Sequence, residues 1–240
     1  MREVPTFLLV HGSWHGPWCW DLLAPALERR GHASVAVDLP SCGSDPANLG
    51  DLADDARTVS EAAAAISGDV IVVGHSYGGA VVSEAVFGDN ARRLVFLCAF
   101  MPDTGRSYVS YLPEGPLPPY VGLRDDGTFA VPDGQAHEHF YADCAPDLSD
   151  WATARLRLQS QAVLGPAVTR ASWRSIPNSY VVTLHDDALP PDFQRMFAAQ
   201  ADDVREFASS HSPFLSRPDD LAELLISIAH GRDGLLKRAS

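Results

Sequence analysis

The sequence predicts an α/β fold, a mostly parallel sheet of about six strands flanked by helices. Three observations predict it. Apolar, β-rich runs recur along the chain with helical segments between them, as crossover connections require. One run, Asp69-Val70-Ile71-Val72-Val73, leads directly into Gly74-His75-Ser76-Tyr77-Gly78-Gly79, a glycine-flanked serine between a strand and a helix. The β-α rhythm then lapses from Met101 to about Pro177, where stretches such as Leu112-Pro113-Glu114-Gly115-Pro116-Leu117-Pro118-Pro119 interrupt it.

Thr6–Val10 is the first expected strand. A helix over roughly Trp18–Arg30 follows and closes at Gly31, before a second strand at Ala33–Leu39. Leu52, Ala56, Val59, Ala63 and Ile66 share one helical face. After the strand Val70–Val73 and the serine turn, Ala80–Phe87 predicts a helix ended by Gly88. Arg93–Phe100, Tyr180–Leu184 and the shorter Val204–Phe207 predict further strands. Ser216 and Asp219 are spaced as a capping box ahead of Leu221, Leu224, Leu225 and Ile228. Residues 1–100 and 178–240 therefore form the expected core. Met101–Pro177 is the expected helical cap, inserted over the carboxyl ends of the sheet, where open α/β sheets bind ligands.

Composition narrows the function classes. Among 240 residues, 46% are hydrophobic and 20% charged, as in a folded globular chain rather than a disordered one. A net charge of −13 argues against nucleic acid as a partner, because phosphates need a basic face. No apolar stretch is long enough to cross a bilayer, and Met1-Arg2-Glu3-Val4-Pro5 does not resemble a signal peptide. Cys19, Cys42, Cys98 and Cys144 lie far apart without a C-x-x-C pair, so reduced thiols and a cytoplasmic location are expected.

The turn around Ser76 has the form of a nucleophile elbow. A serine there takes a strained conformation, so the residues two before and two after it must be small, as Gly74 and Gly78 are. Serine attacks only when a base takes its proton. Of nine histidines, His211 lies in the loop Ser209-Ser210-His211-Ser212-Pro213-Phe214 after the last strand, where it can hang over the elbow. His75 is expected to point away, and His230 to sit exposed on the last helix. The acid should follow the preceding strand, where Asp186 and Asp187 compete. Asp186 is preferred, with Asp103 an outside candidate. The amide of Tyr77 and that of Ser13, after the His11-Gly12 pair, are the expected oxyanion donors. Gly12, Trp14, Phe140 and Trp151 are the candidate substrate-contacting residues, although Trp14, Trp18 and Trp20 together read mainly as packing. His137-Glu138-His139 lacks the helical spacing and third ligand of a zinc site, so no metal is expected.

The run Phe7-Leu8-Leu9-Val10-His11-Gly12-Ser13-Trp14-His15-Gly16-Pro17-Trp18-Cys19-Trp20 resembles the opening of the plant methylesterase and hydroxynitrile lyase family of the α/β-hydrolase superfamily, and its small bacterial esterase homologues. The resemblance continues through Val37-Asp38-Leu39-Pro40, the elbow, Phe140-Tyr141-Ala142-Asp143-Cys144, Leu189-Pro190-Pro191-Asp192-Phe193-Gln194 and the His211 loop. It implies an α/β-hydrolase fold, Asp186 as the acid, no cofactor, a monomer or homodimer, and a small helical cap over an apolar pocket for a small-molecule substrate. The lyase branch is expected to carry threonine and lysine where this chain has Gly12 and Ser212, so the resemblance implies ester hydrolysis over cyanohydrin cleavage. A lactonase or tailoring hydrolase is the nearest variant, and a non-catalytic ligand-binding protein the alternative from another class.

Overall fold

The structure, a computed structural model, describes residues 4–231. Residues 1–3, part of the start read above as unlike a signal peptide, and residues 232–240 of the expected core lie outside the described residues. In chain order the elements are β1 (Thr6–Val10), α1 (Leu23–Glu28), β2 (Ser34–Ala36), β3 (Cys42–Gly43), α2 (Leu52–Ala65), β4 (Val70–His75), α3 (Gly78–Glu84) and β5 (Ala91–Leu97). Then come β6 (Gly122–Leu123), β7 (Thr128–Ala130), α4 (Ala136–Phe140), α5 (Pro146–Thr153) and β8 (Leu158–Ser160). The chain returns through β9 (Asn178–Thr183), α6 (Pro191–Ala198), β10 (Asp203–Phe207), α7 (Pro213–Ser216) and α8 (Pro218–Ala229).

Six strands pair in parallel in the order β10-β9-β5-β4-β1-β2. Helices cover both faces, and every residue of β4 and β9 is buried. The chain moves outward from β1 to β2 and then back across β1 to β4. That reversal opens a crevice at the carboxyl ends of β1 and β4, the place where a doubly wound sheet receives its ligand. The edges are β2, three residues long, and β10, whose first four residues alternate between part-buried and exposed before the buried Phe207.

Helix α2 forms where its apolar face predicts, burying Leu52, Ala56, Val59 and Ala63. Its start is a capping box that the apolar spacing does not reveal: Asp51 accepts from the amides of Ala53 and Asp54, and Asp54 accepts from the amide of Asp51. The expected helix at Trp18–Arg30 is split into a 3-10 turn, Pro17–Trp20, and α1. Pro25 explains this, since a residue without an N–H is tolerated only in a first turn. Helix α3 ends at Glu84 instead of running to Phe87, because Glu84 receives Thr169 and Ser172 donates to the Ala85 carbonyl. The Ser216–Asp219 capping box does not form. Ser216 ends α7, Pro218 opens α8, and Asp219 instead pairs with Arg29 and Arg30 at 2.8 Å, tying α8 to α1.

Residues 101–177 add no strand to the parallel sheet. They carry α4 and α5, as a helical insertion requires. They also carry β6, β7 and β8, which form an antiparallel sheet with β3. Two- and three-residue strands leave no periodicity to read, so the segment is mixed rather than helical. Among the described residues no helix is long and apolar enough to cross a membrane.

Close backbone approach at the elbow gives a stability test. A Cβ on Gly79 would collide with the Phe100 carbonyl and stand 2.8 Å from the Ala99 Cβ, whereas one on Gly165 would meet nothing within 4 Å. Gly79→Ala should cost on the order of 3 kcal/mol and Gly165→Ala less than about 0.5 kcal/mol. Urea denaturation monitored by circular dichroism measures both.

Candidate active site

Ser76 stands between β4 and α3 with a φ of 53°, in the left-handed region that L-residues avoid. The flanking glycines are what the crowding demands. A Cβ at Gly74 would lie 2.9 Å from the Gly78 carbonyl, and one at Gly78 would lie 2.6 Å from the His11 carbonyl. The Ser76 carbonyl accepts from the amides of Gly79 and Phe100, both at 3.1 Å, which fixes the turn from both sides.

The structure brings Asp186 and His211 together. The His211 Nδ1–H donates to Asp186 Oδ2 at 2.7 Å, and both side chains are buried. The carboxylate has a full set of donors: Thr183 Oγ1 and Gln194 Nε2 on Oδ2, and the amides of Ala188 and Leu189 on Oδ1. Asp187 is exposed, and Asp103 is tied to Arg174 away from the site. The His211 loop is held independently. His75 Nε2–H donates to the His211 carbonyl at 2.9 Å, Cys98 Sγ lies 3.4 Å from the same oxygen, and Asp143 accepts from the amide and hydroxyl of Ser210. Burial, reinforced by the neighbouring His211, holds the His75 pKa well below the ordinary range, so this imidazole stays neutral. His75 thus supports the site from beneath, and His230 is exposed just past the end of α8.

Ser13 and Ser76 both face the cavity described below. Neither the Ser13 amide nor the Tyr77 amide donates to a protein acceptor among the described residues. Both N–H groups are thus left for an acceptor other than the protein. The Tyr77 ring is fully buried and donates its hydroxyl to Asp55 Oδ2 at 2.7 Å, while Asp55 Oδ1 accepts from the Ser41 amide at 2.8 Å. Burial raises the Asp55 pKa against the pull of those donors.

A cavity of about 370 Å³ opens over Ser76 and His211. Trp14, Phe100, Tyr108, Tyr120, Phe129 and Phe140 wall it, with the Leu112–Leu117 stretch at its side. Glu114 is the one carboxylate among the lining residues, which include no Lys or Arg. Of the sequence-derived contacts, Trp14 and Phe140 are there. Trp151 is not: α5 buries Ser149 and Ala152, and Trp151, off that face, packs on Trp18 at 5.4 Å with Arg155 over its ring. Gly12 also lies outside the lining. It sits beneath Ser76, where a Cβ would stand 2.8 Å from Ser76 Cβ. Tyr108, Tyr120 and Phe129 come from turns and a three-residue strand, so no spacing in the sequence marks them as cavity walls.

Comparisons with known proteins bear on the family and the fold. A family profile described as the Alpha/beta hydrolase family matches residues 7–224. Salicylic acid-binding protein 2 of Nicotiana tabacum is 30% identical over 267 residues, covering 96% of this chain and 99% of that one. A carbendazim hydrolyzing esterase of Nocardioides is 31% identical, covering 92% and 98%. The solved structure of a pyrethroid hydrolase from Sphingobium faniae superposes with a TM-score of 0.79 at 26% identity over 96% of this chain and 99% of its own. Polyneuridine aldehyde esterase, at 24% identity and a TM-score of 0.80 over 95% and 100%, shares the fold.

Ser76 should be the residue that reacts with a fluorophosphonate. Asp186→Asn should slow that labelling about 10³-fold or more by disturbing the His211 tautomer, while Asp187→Asn leaves it within about threefold. Mass spectrometry of the Ser76 peptide against time separates the two, and equal effects would dismiss Asp186.

Proposed function

The chain belongs to the alpha/beta hydrolase family, and we propose that within it this chain is a serine carboxylic-ester hydrolase acting on small apolar esters through an acyl-enzyme. The observation that carries the proposal is the convergence of Ser76 and the Asp186-bound His211 on one aromatic cavity. Ser76 Oγ attacks the ester carbonyl as His211 Nε2 takes its proton. The negative charge then forming on the carbonyl oxygen is received by the Ser13 and Tyr77 amides. His211 returns the proton to the leaving alcohol, and the imidazolium is stabilised meanwhile by Asp186. Water enters with His211 as base and releases the acid, restoring Ser76.

The cap role belongs to the same reading: residues 101–177 supply Tyr108, Tyr120, Phe129 and Phe140 and keep water from the acyl carbonyl. A cytoplasmic setting fits the four cysteines, which are free and buried.

Ester hydrolysis is favoured over cyanohydrin cleavage by the charges around the cavity. Departing cyanide is helped by a fixed cation, and the lining residues include no Lys or Arg. Ser212 places a hydroxyl where the lyase branch is expected to have lysine, and Arg217 is occupied by Asp220 and the Ala208 carbonyl. Purified protein should cleave p-nitrophenyl or methyl esters of apolar acids, and Ser76→Ala should lose several orders of magnitude in turnover with the fold intact. Mandelonitrile should release cyanide no faster than in buffer. Enzyme-dependent cyanide release above the ester rate would reverse the assignment, and full activity in Ser76→Ala would end it.

A further inference from the structure

The loop after β1 takes a shape that its own residues do not explain. Trp14 has a φ of 62°, a left-handed conformation uncommon for an aromatic residue and sustained only where neighbours impose it. The neighbours that impose it come from the 101–177 segment. The Trp14 carbonyl accepts the backbone N–H of Arg157 at 2.7 Å. The His15 carbonyl accepts the Arg157 guanidinium twice, from Nε at 2.9 Å and Nη2 at 2.7 Å. The Ser13 carbonyl accepts His15 Nδ1–H at 2.7 Å, and His15 Nε2 in turn accepts the Tyr141 hydroxyl at 2.9 Å. Three successive carbonyls of the oxyanion loop are thus held by Arg157, or by Tyr141 acting through one imidazole.

Each part of this clamp is itself fixed. Nη2 of Arg157 also donates to Asp38 at 2.7 Å, just beyond β2, so the guanidinium is anchored on the core. Burial would raise the Asp38 pKa, but the nearby His11 and the hydrogen-bonded Arg157 outweigh it and bring it down to about 2, keeping the carboxylate charged. Burial pushes the His15 pKa down to about 3 against the pull of the Ser13 carbonyl, leaving one ring donor and one ring acceptor. Gly16 leaves the space: a Cβ there would stand 2.7 Å from Nη2 of Arg157. A segment that only roofed the cavity would need none of these bonds.

We propose that Arg157 and Tyr141 are positioning residues that, through His15, hold the Ser13–His15 loop so that the Ser13 amide is presented beside Ser76. The proposal rests on the esterase reading for its catalytic consequence, though not for the loop geometry. Arrangement of the oxyanion donors and placement of the segment over the cavity are then one equilibrium, and displacing the segment disarms the site.

Two measurements on the full-length chain test this, using Tyr141→Phe, Arg157→Met and Gly16→Ala, the last crowding the guanidinium without deleting it. Hydrogen–deuterium exchange over residues 11–20 should quicken about tenfold or more in each variant. With a p-nitrophenyl ester, kcat should fall about 10- to 100-fold, below the loss for removing an oxyanion donor outright. KM should stay within about twofold. Affinity for an aryl boronic acid, which mimics the tetrahedral state, should fall in proportion to kcat/KM. Unchanged exchange in Tyr141→Phe and Gly16→Ala overturns the clamp, as does quickened exchange with wild-type kcat or a kcat loss without quickened exchange. If Arg157→Met does not fold, the other two variants decide. A wild-type chain that turns over no ester defeats the proposed function, and the exchange measurement still decides whether the clamp exists.

Discussion

Ser76 is held at a backbone conformation that an L-residue avoids, and much of the surrounding architecture follows from that constraint. A serine on an ordinary helix or strand would lie flat against its element. Here the turn lifts it above the sheet, and the cost is met by tight contacts that admit only glycine at 74, 78 and 79. Those glycines let α3 pack directly beneath the Phe100 carbonyl and let the loop after β1 come close to Ser76. The strand reversal between β1 and β4 then places both loops at one end of the sheet.

A second layer of order lies under the site and is polar. His75, Asp55 and Tyr77 are all buried, and none is exposed to the cavity through a charged group. His75 steadies the His211 carbonyl, while Asp55 steadies the ring of Tyr77, the residue that follows Ser76. Apolar side chains would fill the same volume without fixing orientation, and buried hydrogen bonds are directional where packing is not. His75 remains neutral because a charge there, below a second imidazole, would be desolvated and repelled together.

The parallel sheet, the elbow and the identity of the residues around it were legible in the sequence because each depends on local patterning. β-branched runs mark buried strands, and a serine between glycines has few other uses after such a run. Asp186 over Asp187 was a closer choice: the two share a loop, and only the fold shows one carboxylate enclosed by Thr183, Gln194 and two amides. Trp151 was misassigned because an aromatic on a short helix such as α5 can face the cavity or the outer loop, and spacing alone does not tell which. Arg157 carried no warning at all. Its partners Trp14, His15 and Asp38 lie more than a hundred residues earlier, a distance over which no periodicity survives.

The two borders of the parallel sheet bear on how this chain behaves when crowded among copies of itself. Unpaired strand edges are templates for intermolecular β-pairing. On one side the border is cut to Ser34–Ala36, too short to recruit a neighbour through many main-chain bonds. On the other, Asp203, Arg205 and Glu206 place charges along the rim, Arg205 paired with Asp203 and Glu206 with Arg195. An approaching strand would have to desolvate these ions, while the net charge of −13 repels whole molecules at longer range. Resistance to aggregation in this architecture therefore resides at the sheet's two margins, far from the chemistry at its carboxyl end.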